Sequence, residues 1–122
     1  MKLNIDCIRD VLLYVEERSK GTNIIVINSN TLSESMNNKY DKETIIYHFI
    51  QCSKAKLIDG FRQADSYNTL YCHDLSPLGH EFVANTRNKK IWRKIKQIGC
   101  ESLPTIISLA SQIATTYFSN QI

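Results

Sequence analysis

The apolar positions change period several times along the chain, and each change marks an element. In "NIDCIRDVLLYVEERSKG", Ile5, Ile8, Val11, Leu12 and Val15 recur at the spacing of one helix face, with Arg9, Asp10, Glu16, Glu17 and Arg18 opposite. Asn4 or Asp6 can cap the start, and Gly21 can end the helix in the left-handed conformation. "NIIVI" at 23–27 is short and β-branched, which predicts a strand. Leu32 and Met36 at i, i+4 suggest a short helix near 31–37. "DKETIIYHFIQCSKAKL" opens on Asp41, a strong cap residue, and places Ile45, Phe49, Cys52 and Ala55 on one stripe widened by Ile46 and Ile50.

After that helix the period shortens. "LIDGFRQA" and "TLYCHDL" alternate loosely around the turn-formers "DSYN", which reads as a β-hairpin. Ser76 then caps a helix with Pro77 at its first position and Leu78, Phe82 and Val83 facing inward. "RNKKIWRKIK" is basic with an apolar side of Ile91, Trp92, Ile95 and Ile98. A last helix starts at Ser102 and carries a wide apolar face from Leu103 to Phe118. Ile45, Phe49, Leu57, Leu75, Leu78 and Phe82 are expected to be buried together.

The order helix, strand, short helix, capped helix, hairpin, helix is that of a winged helix-turn-helix, with the strand at 24–27 joining the hairpin as a third strand. The expected fold is therefore α+β and mainly helical: a winged-helix domain at 1–83 and a C-terminal helical extension at 84–122.

Composition narrows the classes. The 122 residues suit one compact domain with an appendage, and 43% hydrophobic content can fill a core. The N-terminus carries Lys2, Asp6, Arg9 and Asp10, unlike a signal peptide, and no apolar run approaches the roughly 20 residues of a membrane span. The expected location is the cytoplasm. Cys7, Cys52, Cys72 and Cys100 form no C-x-x-C pair, so free, mostly buried thiols are expected rather than disulfides. His48, Cys72, His73 and His80 fit no zinc spacing. No nucleophile elbow, phosphate loop or H-E-x-x-H occurs. The reading is of a protein that is not an enzyme and holds no cofactor or metal.

Two sequence stretches carry a resemblance. "IIYHFIQCSKAKLIDG" resembles the recognition helix and first wing strand of bacterial winged-helix regulators, and "LSPLGHEFV" resembles the start of their post-wing helix. More closely, "MKLNIDCIRDVLLYVEE", "IIYHF", "LIDG" and "LSPLGHEFVANTRNKKIW" are similar to one uncharacterised domain-of-unknown-function family of bacteria, their phages and prophages. The resemblance implies a winged-helix domain and brings no activity with it. Lys56 stands where glycine usually ends the recognition helix, Cys52 where leucine is usual, and Ser76 where threonine is usual.

Duplex DNA is the partner such a fold suggests. On the third helix Lys42, Thr44, Tyr47, His48, Gln51 and Lys54 form the outward set, where Gln and Lys pair with base edges and Thr and Tyr reach phosphates. At the wing, Arg62 suits a minor groove. Charge tempers this reading. Residues 41–56 carry Lys42, Lys54 and Lys56 against Asp41 and Glu43, a net of +1, and residues 57–74 carry Arg62 against Asp59, Asp65 and Asp74, a net of −2.

The overall +3 instead resides in Arg87, Lys89, Lys90, Arg93, Lys94 and Lys96, a stretch from Phe82 to Cys100 with no acid; outside it nine basic residues face twelve acidic ones. A solvated helix face is the plain alternative for each set, and an anionic membrane surface a further one for the basic run. The expected function is DNA binding in a regulatory, phage- or prophage-related setting; the alternative is a winged-helix protein-interaction module without DNA binding. The apolar face of the last helix suggests either a homodimer through residues 103–118 or a fold-back onto the first helix.

Overall fold

In the computed structural model, which describes residues 1–99 and 102–119, the chain is α+β with six α-helices and a small antiparallel sheet. Helix α1 spans Ile5–Arg18, and its cap is Asn4, whose side chain accepts from the amides of Asp6 and Cys7. It stops at Ser19, whose ψ of 136° is extended, so Gly21 with φ +80° shapes the following turn instead of ending the helix. Strand β1 (Ile25–Asn28) leads through a 3-10 turn at Ser29–Thr31 into the single-turn α2 (Leu32–Ser35). Helix α3 covers Lys42–Lys54 and is capped by Asp41, whose carboxylate accepts from the Thr44 amide at 2.8 Å.

The hairpin is more broken than its alternation suggests. Its first arm divides into β2 (Ile58–Asp59) and β3 (Arg62–Ala64), its second into β4 (Thr69–Cys72) and β5 (Asp74–Leu75). The outer parts form a three-stranded sheet in the order β1-β4-β3, while β2 and β5 make a separate two-residue pair. The break falls at Gly60, with φ +71°. A Cβ there would come within 2.1 Å of the His73 ring, so only glycine fits. In the sheet Ile25 faces Cys72 and Ile27 faces Leu70, and all four turn inward.

Helices α4 (Pro77–Thr86), α5 (Lys89–Ile98) and α6 (Leu103–Ser119) complete the fold. One continuous core links Ile8, Val11 and Leu12 of α1, Ile45 and Phe49 of α3, Leu57, Leu70 and Leu75 near the sheet, and Phe82 of α4 to Ile91, Ile95 and Ile106 of the last two helices. The Phe49 ring lies at its centre, edge-on to Tyr14 and stacked on Phe61. Leu78 is not part of this core, being 38% exposed. The inner stripe of α4 is Gly79, Phe82, Val83 and Thr86, at i, i+3, i+4 and i+7, and Leu78 falls to the side of it.

Within the chain the last helix does fold back, but onto α4 and α5 and not chiefly onto α1. It buries Leu103, Ile106, Ala110 and Ala114. Ile107, Ile113 and Tyr117 are half-covered. Phe118 at the far end stays 51% exposed.

Two substitutions probe this packing. Phe49→Ala is expected to lower unfolding free energy by about 3–5 kcal/mol in urea titration. Gly79→Ala, whose new methyl would meet the Leu57 carbonyl oxygen at 2.1 Å, is expected to lose about 1–3 kcal/mol despite alanine's better helix propensity. An unchanged midpoint for either variant would contradict the placement of that residue.

Candidate nucleic-acid interface

The outward set on α3 is only partly outward. His48 is fully buried, with 0% exposure. Its Nε2 accepts the Asn4 amide at 2.8 Å, which leaves the proton on Nδ1 to be donated to the Thr44 carbonyl at 2.7 Å. The expected base-reading role of His48 is therefore corrected: the ring ties the N-terminus to α3. Burial holds its pKa below the usual 6.5, opposed in part by the bond to Thr44. Spacing alone does not show this, because the segment before α1 covers a flank of α3 that the apolar stripe leaves to solvent. Tyr47 meets the His48 ring edge-on, and Tyr47 and Gln51 line an open groove of about 580 Å³ with Met1, Leu3, Leu103 and Pro104.

Lys42 is also engaged within the chain. Its ammonium donates to Asn30 at 2.8 Å and Asn68 at 3.0 Å, joining the 3-10 turn to the hairpin tip. Thr44 is half-buried, and Lys54 is exposed. On the hairpin, the Arg62 guanidinium lies 5.9 Å from the Tyr71 ring centre. Asp65, Ser66 and Tyr67 all have positive φ, at 54°, 54° and 70°. Such a run of left-handed non-glycine residues persists only where neighbours hold it. The holders are Gln63, which accepts from the Tyr67 amide at 2.9 Å, and the buried Ser29 hydroxyl, which donates to the carbonyls of Tyr67 and Asn68.

The basic run forms α5, capped by Asn88, which accepts from the amides of Lys90 and Ile91. Ile91 and Ile95 are buried and Trp92 is half-buried. The helix crosses α1 in the opposite direction. Arg87 at its start pairs with Glu16, and Lys96 near its end pairs with Asp6 at 3.2 Å. The Arg9 guanidinium lies between, 5.3 Å from the Trp92 ring centre. Of the six expected phosphate ligands, Arg87 and Lys96 are thus partly neutralised by α1. The readable signal was the acidic pair Asp6 and Glu16 on the flank of α1.

Lys89, Lys90, Arg93 and Lys94 are exposed and have no acidic partner among the described residues. Their spacing of i, i+1, i+4 and i+5 gathers them into one ridge. Lys90 and Lys94 edge a groove of about 430 Å³ floored by Ile91 and Ile113 and walled by Tyr117, while Lys89 and Arg93 flank Trp92 on the other side. Beside Tyr47 and Gln51 stand the N-terminal segment, with Lys2, and the start of α6.

Cys7, Cys52 and Cys72 are free and buried. Burial, helped by Asp10, pushes the Cys7 thiol up to about 12, and burial raises Cys72 to about 11 and Cys52 further still, so all three are protonated thiols. Cys100 lies outside the described residues. Among those residues no three His, Cys, Asp or Glu side chains gather around a metal-sized site, and no helix is long and apolar enough to cross a membrane.

Comparison with other proteins adds a family. The model of a family described as "Hypothetical protein (DUF2513)" matches residues 2–102. An uncharacterized protein of Haemophilus influenzae is 29% identical over 124 residues, spanning 100% of this chain and 99% of its own. No solved structure matches the chain.

The buried histidine generates a pH test. Between its folded pKa and 6.5 the unfolded chain binds the extra proton, so stability rises with pH through that window and falls as pH drops below 6.5. Melting temperature is expected to decline from pH 7.5 to 5.5 in the natural chain, and His48→Gln, which keeps an acceptor for Asn4, is expected to flatten that decline. An equal decline in both proteins would remove His48 as its source.

Proposed function

Taking as premise that the chain belongs to the DUF2513 family, we propose that it is a winged helix-turn-helix protein that binds duplex DNA chiefly through the phosphate backbone, with α5 as the main contact and a regulatory role. The four-cation ridge of Lys89, Lys90, Arg93 and Lys94 carries this reading. It is the one surface where several cations stand together without acidic partners among the described residues. Neutralising phosphates and releasing counterions supplies most non-specific DNA affinity, and a one-sided helical row of Lys and Arg does this without base contacts.

The element order supports the winged-helix part: α1, β1, α2, α3 and a ribbon whose second strand is flanked by β1. With His48 buried and Lys42 held by Asn30 and Asn68, α3 offers Tyr47, Gln51 and Lys54 as remaining base-reading candidates. Such a surface favours affinity over sequence discrimination.

A second reading, a protein-interaction module, is favoured by the wing. Its net charge of −2 and its rigidly held tip suit a protein surface better than a phosphate backbone.

Binding to random-sequence duplex DNA, followed by fluorescence anisotropy, separates the two. Log affinity is expected to fall with log salt between about 50 and 200 mM, and Arg93→Ala with Lys94→Ala is expected to flatten the slope by up to about 2 units. Affinity that ignores salt, or a slope unaltered in the double variant, would put the protein-interaction reading first.

A further inference from the structure

The sheet has two edges, and they are built differently. The β3 edge carries Arg62, is three residues long and runs into the strained tip. The β1 edge carries no charge: from Gly21 to Ser33 the sequence is uncharged, and its strand reads Ile25-Val26-Ile27-Asn28. Folded proteins normally blunt an edge strand with charge, proline or a bulge, since unpaired amides and carbonyls recruit another strand. Neither a charged residue nor a proline guards β1.

The register says which groups are open. The Ser29 amide donates to the Asn68 carbonyl at 3.0 Å, extending the β1–β4 ladder by one residue. Counting back by two, Ile27 and Ile25 are the residues that bond to β4. The backbone N–H and C=O of Val26 therefore point away from the sheet. The same alternation puts the Val26 side chain on the outer face, 66% exposed, beside Ile24 at 48%.

We propose that β1 pairs antiparallel with β1 of a second copy of this chain, making a six-stranded sheet across a two-fold axis at Val26. Each Val26 then exchanges backbone hydrogen bonds with its copy, and Ile24 lies opposite Asn28. A two-fold axis brings each central residue against itself, so charged groups there repel, and an uncharged β-branched strand is the composition that self-pairing needs. A partner of different sequence gains no charge complementarity from such an edge. The contact is small, a single strand pair, so association belongs at high micromolar protein rather than in a permanent dimer. It uses a different surface from the one first expected, because the apolar face of α6 is engaged by α4 and α5.

Sedimentation of the full chain over a range of concentrations tests this, with amide hydrogen exchange at low and high concentration. The expected result is a monomer–dimer equilibrium in which the Val26 amide gains protection as dimer forms. Val26→Lys is expected to weaken association at least about tenfold, since like charges then face each other across the ladder. Its melting temperature should not change, because the side chain is exposed. An equimolar mixture of Val26→Lys and Val26→Glu should restore the dimer as a heterodimer. A chain that stays monomeric at every concentration, a dimer that leaves the Val26 amide unprotected, or a Val26→Lys variant that associates as well as the natural chain would each overturn the β1 interface.

Discussion

The joint between the end of α3 and the start of α4 holds the rest in place. Lys56 takes φ +61°, and the amides of Lys56 and Leu57 return to the carbonyls of Ser53 and Cys52, closing the helix in a Schellman turn. The Ser76 hydroxyl then donates to the Lys56 carbonyl at 2.6 Å and accepts from the Gly79 amide, while the Ser76 amide donates to the Leu57 carbonyl. One serine thus caps α4 and clamps the turn that ends α3. Gly79 follows from the same contact, since the Leu57 carbonyl occupies the space a Cβ would need. The left-handed lysine costs about 1 kcal/mol relative to glycine, and the surrounding bonds offset that.

From this joint the geometry propagates outward. With α3 and α4 fixed, β2 and β5 are brought together between them, and the outer hairpin is carried to β1. A second set of ties fastens the far end, where Ser29 and Lys42 hold the tip. The hairpin is therefore anchored at both base and tip. Such a ribbon presents one shape to a partner instead of adapting to many, which lowers the ordering penalty on binding.

The electrostatic design is split. Acids on α1 engage Arg87, just before α5, and Lys96 near its end, and leave Lys89, Lys90, Arg93 and Lys94 exposed. Two of six cations act as positioning groups while four face solvent. The two roles are chemically alike and differ only in what lies opposite.

Much of the fold was legible in the linear pattern. The caps at Asp41, Ser76 and Pro77 are local signals acting within one helical turn, and they appear where expected. The apolar stripes of α1 and α3 follow from periodicity, which the backbone geometry imposes on any such segment, and the pairing of β1 with the hairpin was expected from the order of the elements. The family resemblance points the same way and is borne out at the level of the family. What only the tertiary structure decided depends on contacts between distant residues. Periodicity assigned His48 to the open flank of α3, and the segment ending at Asn4 covers it from 44 positions away. It marked α6 as apolar and offered a second copy or α1 as its cover; within the chain α4 and α5 cover it, burying Leu103, Ile106, Ala110 and Ala114. It counted Arg87 and Lys96 as available cations, whereas Glu16 and Asp6 stand against them once α5 crosses α1. Local chemistry sets which segments form helices and strands, but the availability of a side chain is a property of what the fold brings to it.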